Sequence, residues 1–246
     1  MNGQRVTRIT GTLLLAAGVA VLVWVVVVWR WQDPFTALYT TWKQHQLSQS
    51  YTKRAKAFRL PEPKAKAAAV RVVTAAQIRA QARRYRLATE RGQPVGRLRV
   101  PRLGLNMVVV DGTDHDSLIK GPGLDRRTYM PGEGQLTYIA GHRTTYLAPF
   151  AHIERIKAGD EISIEVPYGT FRYRVFTHKI VGASDLAVLK SHGREVVELQ
   201  ACHPRFFASH RYIVYARLMQ IDPRDAAPII PPARTLTAAP LASAQG

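Results

Sequence analysis

The chain has 246 residues, room for one domain of ordinary size plus extra segments, with a formal net charge of +18 and a single cysteine. One thiol excludes an intramolecular disulfide, and eight dispersed histidines lacking carboxylates at ligand spacing argue against a metal site. A basic chain raises nucleic acid as a partner, but no basic stripe interleaved with aromatics is present, and none is expected.

In chain order, residues 1–8 carry Arg5 and Arg8, and residues 9–29 read ITGTLLLAAGVAVLVWVVVVW, a run without a charge. At ~1.5 Å rise per residue such a helix crosses the roughly 30 Å hydrocarbon core of a bilayer. The run ends in Trp24, Trp29 and Trp31 beside Arg30, which suits an uncleaved interfacial anchor and not a signal-peptidase site. More Lys and Arg follow the span than precede it, yet long domains translocate regardless of charge. The expected topology is therefore single-pass in the cell membrane, with residues 1–8 cytoplasmic and the bulk of the chain outside.

Residues 30–93 form a basic, partly helical linker. Residues 30–100 hold 16 Lys and Arg against Asp33, Glu62 and Glu90, a net of +13, whereas residues 94–219 hold 17 against 12 acids. Beside a bilayer each such cation is attracted to anionic lipid or wall polymer by about 1 kcal/mol. Within 64–91, rich in Ala, Arg and Gln, Ile78, Ala82 and Tyr85 make one weak apolar stripe at helical spacing. The plainer expectation is a solvated helix or stalk; the alternatives are packing on the domain or lying along a polyanion.

After Gly92 and Pro94 the pattern changes. Short runs rich in β-branched and aromatic residues begin near positions 97, 107, 135, 160, 171, 195 and 212, separated by Gly, Pro and Asp. Seven or eight strands over residues 94–219 predict an all-β single barrel or sandwich. The plainest pair is Ile162, Ile164 and Val166, then PYGT, then Phe171, Tyr173 and Val175, a β-hairpin. Residues 220–246, dominated by Pro, Ala, Thr and Ser, are expected to be a disordered tail.

Three polar residues fall at strand ends: His142 after YIAG, Cys202 at the end of VVELQAC, and Arg211 just before YIVYA. A thiolate is a strong nucleophile, an imidazole moves protons near neutral pH, and a guanidinium donates to an oxygen that gains negative charge. Singly, each has a bland reading: an inert buried thiol, a core or capping histidine, a surface ion-pair partner. His203, His210 and Arg143 lie beside the trio with tuning or solvent-exposed roles expected.

Residues 138–150, YIAGHRTTYLAPF, the CHP at 202–204 and the arginine nine residues after the cysteine together resemble the sortases, cysteine transpeptidases of the Gram-positive cell surface. The similarity covers roughly residues 94–219 and is greatest to the actinobacterial class E group. It implies an eight-stranded sortase β-barrel with short helices behind one transmembrane helix. It also implies cleavage between Thr and Gly of an LPXTG-like signal (LAXTG in class E) by Cys202, with His142 as acid/base and Arg211 as the carbonyl or oxyanion contact. Implied partners are surface proteins bearing a C-terminal sorting signal and an amine acceptor on a peptidoglycan precursor or pilin lysine. No cofactor is implied; Asp111, Asp114 and Asp116, the sole candidates for a calcium site, read better as a polar turn. The chain departs from the family's Thr-Leu-x-Thr-Cys pattern by Glu198 and Ala201, has Leu147 where class E often has Gly, and has Leu124 where a His is common. Ala201 keeps open a non-catalytic binding module on a sortase scaffold, and a purely hydrolytic cysteine peptidase is the other alternative.

Overall fold

The computed structural model describes residues 2–31, 34–59 and 73–231. Helix α1 (Asn2–Trp31) contains the uncharged run and stands exposed along its described side chains. Among the described residues it is the one helix long and apolar enough to cross a bilayer. Helix α2 (Pro34–Ala57) and helix α3 (Ala75–Leu87) precede eight strands. These are β1 (Pro94–Val100), β2 (Leu105–Asp111), β3 (Gly123–Leu124), β4 (Leu136–Ala140), β5 (Glu161–Val166), β6 (Gly169–Gly182), β7 (Val196–His203) and β8 (His210–Pro223), with the one-turn helix α4 (His115–Leu118) after β2.

The strands close into a barrel in the order β1-β2-β3-β4-β7-β8-β6-β5. Pairing is antiparallel except for β2 with β3 and β4 with β7, which are parallel. Every strand has a neighbour on both sides, although the two-residue β3 covers only the ends of β2 and β4. The expected hairpin is β5–β6, with Ile164 opposite Phe171 and Ile162 opposite Tyr173. All four side chains are buried, as their alternation with charged residues dictates. They join Leu98, Ile139, Phe150, Tyr168, Leu199 and Val214 in the interior, where each large apolar side chain stabilises the fold by roughly 1.5–3 kcal/mol.

The expected solvated stalk is replaced by packed helices. Thr74 caps α3 in a reciprocal capping box with Gln77. Ile78, Ala82 and Tyr85 sit in the barrel core, and the Tyr85 ring lies edge-on to Tyr168 at 5.9 Å. The stripe is therefore a packing face, and Arg79, Arg83 and Arg84 outside it meet solvent. Helix α2 docks through a mixed seam: Leu47 and Tyr51 cover Val108 and Val110, while Thr40 and Tyr51 donate to the carbonyls of Ile119 and Glu165. Of the linker and tail expectations, residues 60–72 and 232–246 lie outside the described residues. The start of the tail is ordered: β8 continues to Pro223, and Ile229 pairs back onto Ile221.

Candidate active site

Parallel pairing of β4 with β7 sets Ala140 beside Gln200, so His142 and Cys202 each lie two residues further along adjacent chains. Antiparallel pairing of β7 with β8 makes Cys202 and Arg211 direct cross-strand partners. All three line one cleft of about 290 Å³, together with Gln200 on its floor and Leu186 and Leu189 on one wall. Sheet register alone thus joins groups that stand 60 residues apart in sequence.

Gly141, between β4 and His142, is needed for close approach. A Cβ there would lie 2.6 Å from the Phe150 ring, so any side chain would displace His142 or the core. His142 is half-buried, its Nε2 has no hydrogen-bond partner among the described residues, and its ring packs on Tyr146 at 5.1 Å. Burial, and secondarily the charge of His115, hold its pKa below the ordinary histidine value, so the neutral imidazole is favoured. Tyr146, Leu147 and Ala148 follow with φ of 53°, 61° and 37°, a left-handed stretch of three non-glycine residues. Its first amide is held by Thr36 Oγ1 of α2 at 3.1 Å. Leu147, the residue at a position where class E often has glycine, is thus one of those that needs glycine's freedom.

Arg211 is tethered by its Nη1, which donates to the carbonyls of Ala208 at 2.8 Å and His210 at 2.9 Å. This keeps a fixed positive charge at the cleft opposite Cys202, and the thiol is partly exposed there. Arg143, next to His142, turns away from the cleft. It is buried and donates to the Cys202 carbonyl at 3.1 Å and to Glu154 at 2.6 Å, clamping the end of β7. Its lone signal in the sequence is adjacency to His142. Two further groups lie in the cleft wall without a sequence signal, Asp125 and Arg127, which form a two-point ion pair at 2.9 and 2.7 Å. Ala201 points the other way, into the barrel core, and is fully buried. The hydroxyl missing there is therefore missing from the interior and not from the cleft. Of the Asp111–Asp114–Asp116 turn, Asp111 pairs with Arg126 and Asp114 caps α4, while Asp116 is exposed. Among the described residues no cluster has metal-ligand geometry.

A closed eight-stranded barrel of this order, with a thiol, an imidazole and a guanidinium at one cleft, has the sortase architecture. Residues 98–219 match the sortase domain. Sortase D of Bacillus subtilis is 33% identical over 132 residues, 52% of this chain and 65% of that protein. Sortase SrtE1 of Streptomyces coelicolor is 26% identical over 153 residues, 55% of this chain and 43% of its own. The chain thus spans less than two thirds of these curated relatives. A Clostridium perfringens sortase D5 transpeptidase superposes with a TM-score of 0.57 at 21% identity, covering 72% of this chain and 98% of that one. Sortase E1 from Streptomyces coelicolor, solved with a tripeptide in the active site, gives 0.51 at 24% identity over 56% and 94%. The chain belongs to the sortase family, with similarity to class D as well as class E members.

Proposed function

We propose that this chain is a membrane-anchored cysteine transpeptidase acting outside the cell on surface proteins with an LPXTG- or LAXTG-like sorting signal. The observation that carries the reading is the convergence of His142, Cys202 and Arg211 on one cleft of a sortase barrel. The Cys202 thiol gives its proton to the neutral His142, and the thiolate so formed attacks the threonine carbonyl carbon while Arg211 donates hydrogen bonds to the oxygen that gains negative charge. As the Thr–Gly bond breaks, imidazolium at His142 gives its proton to the glycine nitrogen, and the C-terminal piece departs. A primary amine on a peptidoglycan precursor or pilin lysine then attacks the thioester, passes its proton to the now neutral His142, and releases the thiolate. The tripeptide bound in the Streptomyces coelicolor sortase E1 structure supports a peptide as occupant of the cleft. Helix α1 supplies the anchor, and the wall-facing substrates require the barrel outside.

The test incubates the protein with LPXTG and LAXTG peptides and an amine, and follows products by mass spectrometry. The expected product joins the amine to threonine and is lost in Cys202→Ala. Hydrolysis alone in saturating amine would assign a peptidase instead. Peptide bound but never cleaved would assign the binding module.

A further inference from the structure

Glu198, Gln200 and Cys202 share one face of β7 at two-residue spacing, and the latter two line the cleft. Glu198 continues that row beneath residues 183–195, the segment between β6 and β7 that supplies Leu186, Val188 and Leu189 to the cleft wall. It is wholly buried, its Oε1 lies 2.6 Å from His192 Nε2, and its Oε2 has no hydrogen-bond partner among the described residues. A carboxylate at such a depth demands a partner, and the one it has belongs to the wall segment. The His192 ring in turn stands edge-on to Tyr215 of β8 at 6.0 Å.

Arg194 and Glu195, at the end of this segment next to β7, are held by the Phe176 ring and by Tyr173, Gly132 and Gly134. The other side-chain ties of residues 183–193 to the barrel are modest. Val188 and Leu189 pack on the small outer cluster around Tyr138 and Ile213, and Ser191 donates to Gln135. The titratable groups that face Glu198 are His192 from the segment, Tyr138 from β4 and Tyr215 from β8. Asp185 and Arg211 act at longer range on those two phenols. Burial raises the Glu198 carboxyl above its ordinary value, opposed by the hydrogen bond and charge of His192.

We infer that Glu198 and His192 form a clamp that fixes residues 183–193 as a wall of the cleft, and thereby sets how firmly a peptide is held before Cys202. Both are positioning residues, since neither touches the reacting atoms. The effect on peptide rests on the transpeptidase reading above, whereas the clamp itself is readable without it.

The test uses the full-length protein in detergent with His192→Ala and Glu198→Gln, each checked for an intact melting transition. His192 is a loop residue and partly exposed, so its variant carries the test should Glu198→Gln fail to fold. Loss of a hydrogen bond to a charged group corresponds to exchange in 183–193 faster by on the order of tenfold, while β8 keeps its protection. For the sorting peptide, KM rises severalfold with kcat held within about twofold, and Cys202 alkylates at the wild-type rate. Unchanged exchange in a folded variant overturns the clamp, and faster exchange with unchanged KM overturns its role in holding peptide. Exchange still decides the clamp if wild type turns over no peptide, a result that would count against the transpeptidase reading alone.

Discussion

Gln44 offers the sharpest test of whether α2 belongs to the folded domain. Its amide nitrogen donates to the carbonyls of Val108 at 2.9 Å and Lys120 at 2.8 Å, and its oxygen accepts from the Val108 amide at 2.8 Å. Strand β3 covers only Val110 and Asp111 of β2, so the Gln44 amide does for Val108 what a neighbouring strand residue would do. Gln44→Ala removes three hydrogen bonds and leaves two backbone groups of a fully buried residue without partners. At about 1 kcal/mol net per bond, and more for each group left unpaired, the loss is about 2–4 kcal/mol. For a domain of this size that lowers Tm by roughly 5–15 °C. Calorimetry on the full-length protein in detergent reads it, with Thr41→Ala as control. Thr41 is exposed and bonds only Ala37 within its own helix, so its variant melts within about 1 °C of wild type. Equal melting of the Gln44 and Thr41 variants would refute the docking of α2.

Glu195 is buried and accepts from Tyr173 at 2.7 Å, Gly132 at 2.8 Å and Gly134 at 3.1 Å. Glu195→Ala is expected to cost about 3 kcal/mol in urea unfolding, and a loss below about 1 kcal/mol would contradict that network. Burial raises its pKa, so the folded state keeps a proton that the unfolded state releases above 4.5. Its contribution to stability therefore falls as pH rises through that window, and Glu195→Gln flattens the slope measured by urea titration at several pH values. His115 helps hold the His142 pKa down, so His115→Gln moves the His142 limb of the kcat/KM profile to higher pH; a downward move would contradict the assignment. Ala201 is packed in the core, so Ala201→Thr destabilises by about 1–3 kcal/mol in thermal melts through overpacking. It does so without raising kcat/KM, and a gain in turnover would contradict the inward orientation.

The barrel was legible because its strands alternate. Ile162, Ile164 and Val166 against Phe171, Tyr173 and Val175 announce both the hairpin and its buried face. Strand β3 escaped because two residues carry no periodicity. Helix α2 escaped for a different reason: its docking positions Thr40, Gln44 and Ser48 are polar and bond backbone and Arg97, leaving only the short apolar row Leu47, Tyr51 and Ala55 to read. The stripe Ile78, Ala82, Tyr85 was visible in α3, but its weakness hid that a tyrosine filling the barrel end outweighs several exposed arginines. Of the site, His142, Cys202 and Arg211 stood out at strand ends, and pairing of β4, β7 and β8 brings them to one cleft. Arg143 and the Glu198–His192 contact act through distances that only the register creates.

The most direct test of the central claim is intact-mass spectrometry of the protein mixed with a sorting peptide in the absence of amine. The account predicts an adduct equal to the peptide through its threonine, on Cys202, discharged by added amine and absent from Cys202→Ala. A protein that binds the peptide yet never gains that mass, or gains it equally in Cys202→Ala, would contradict it.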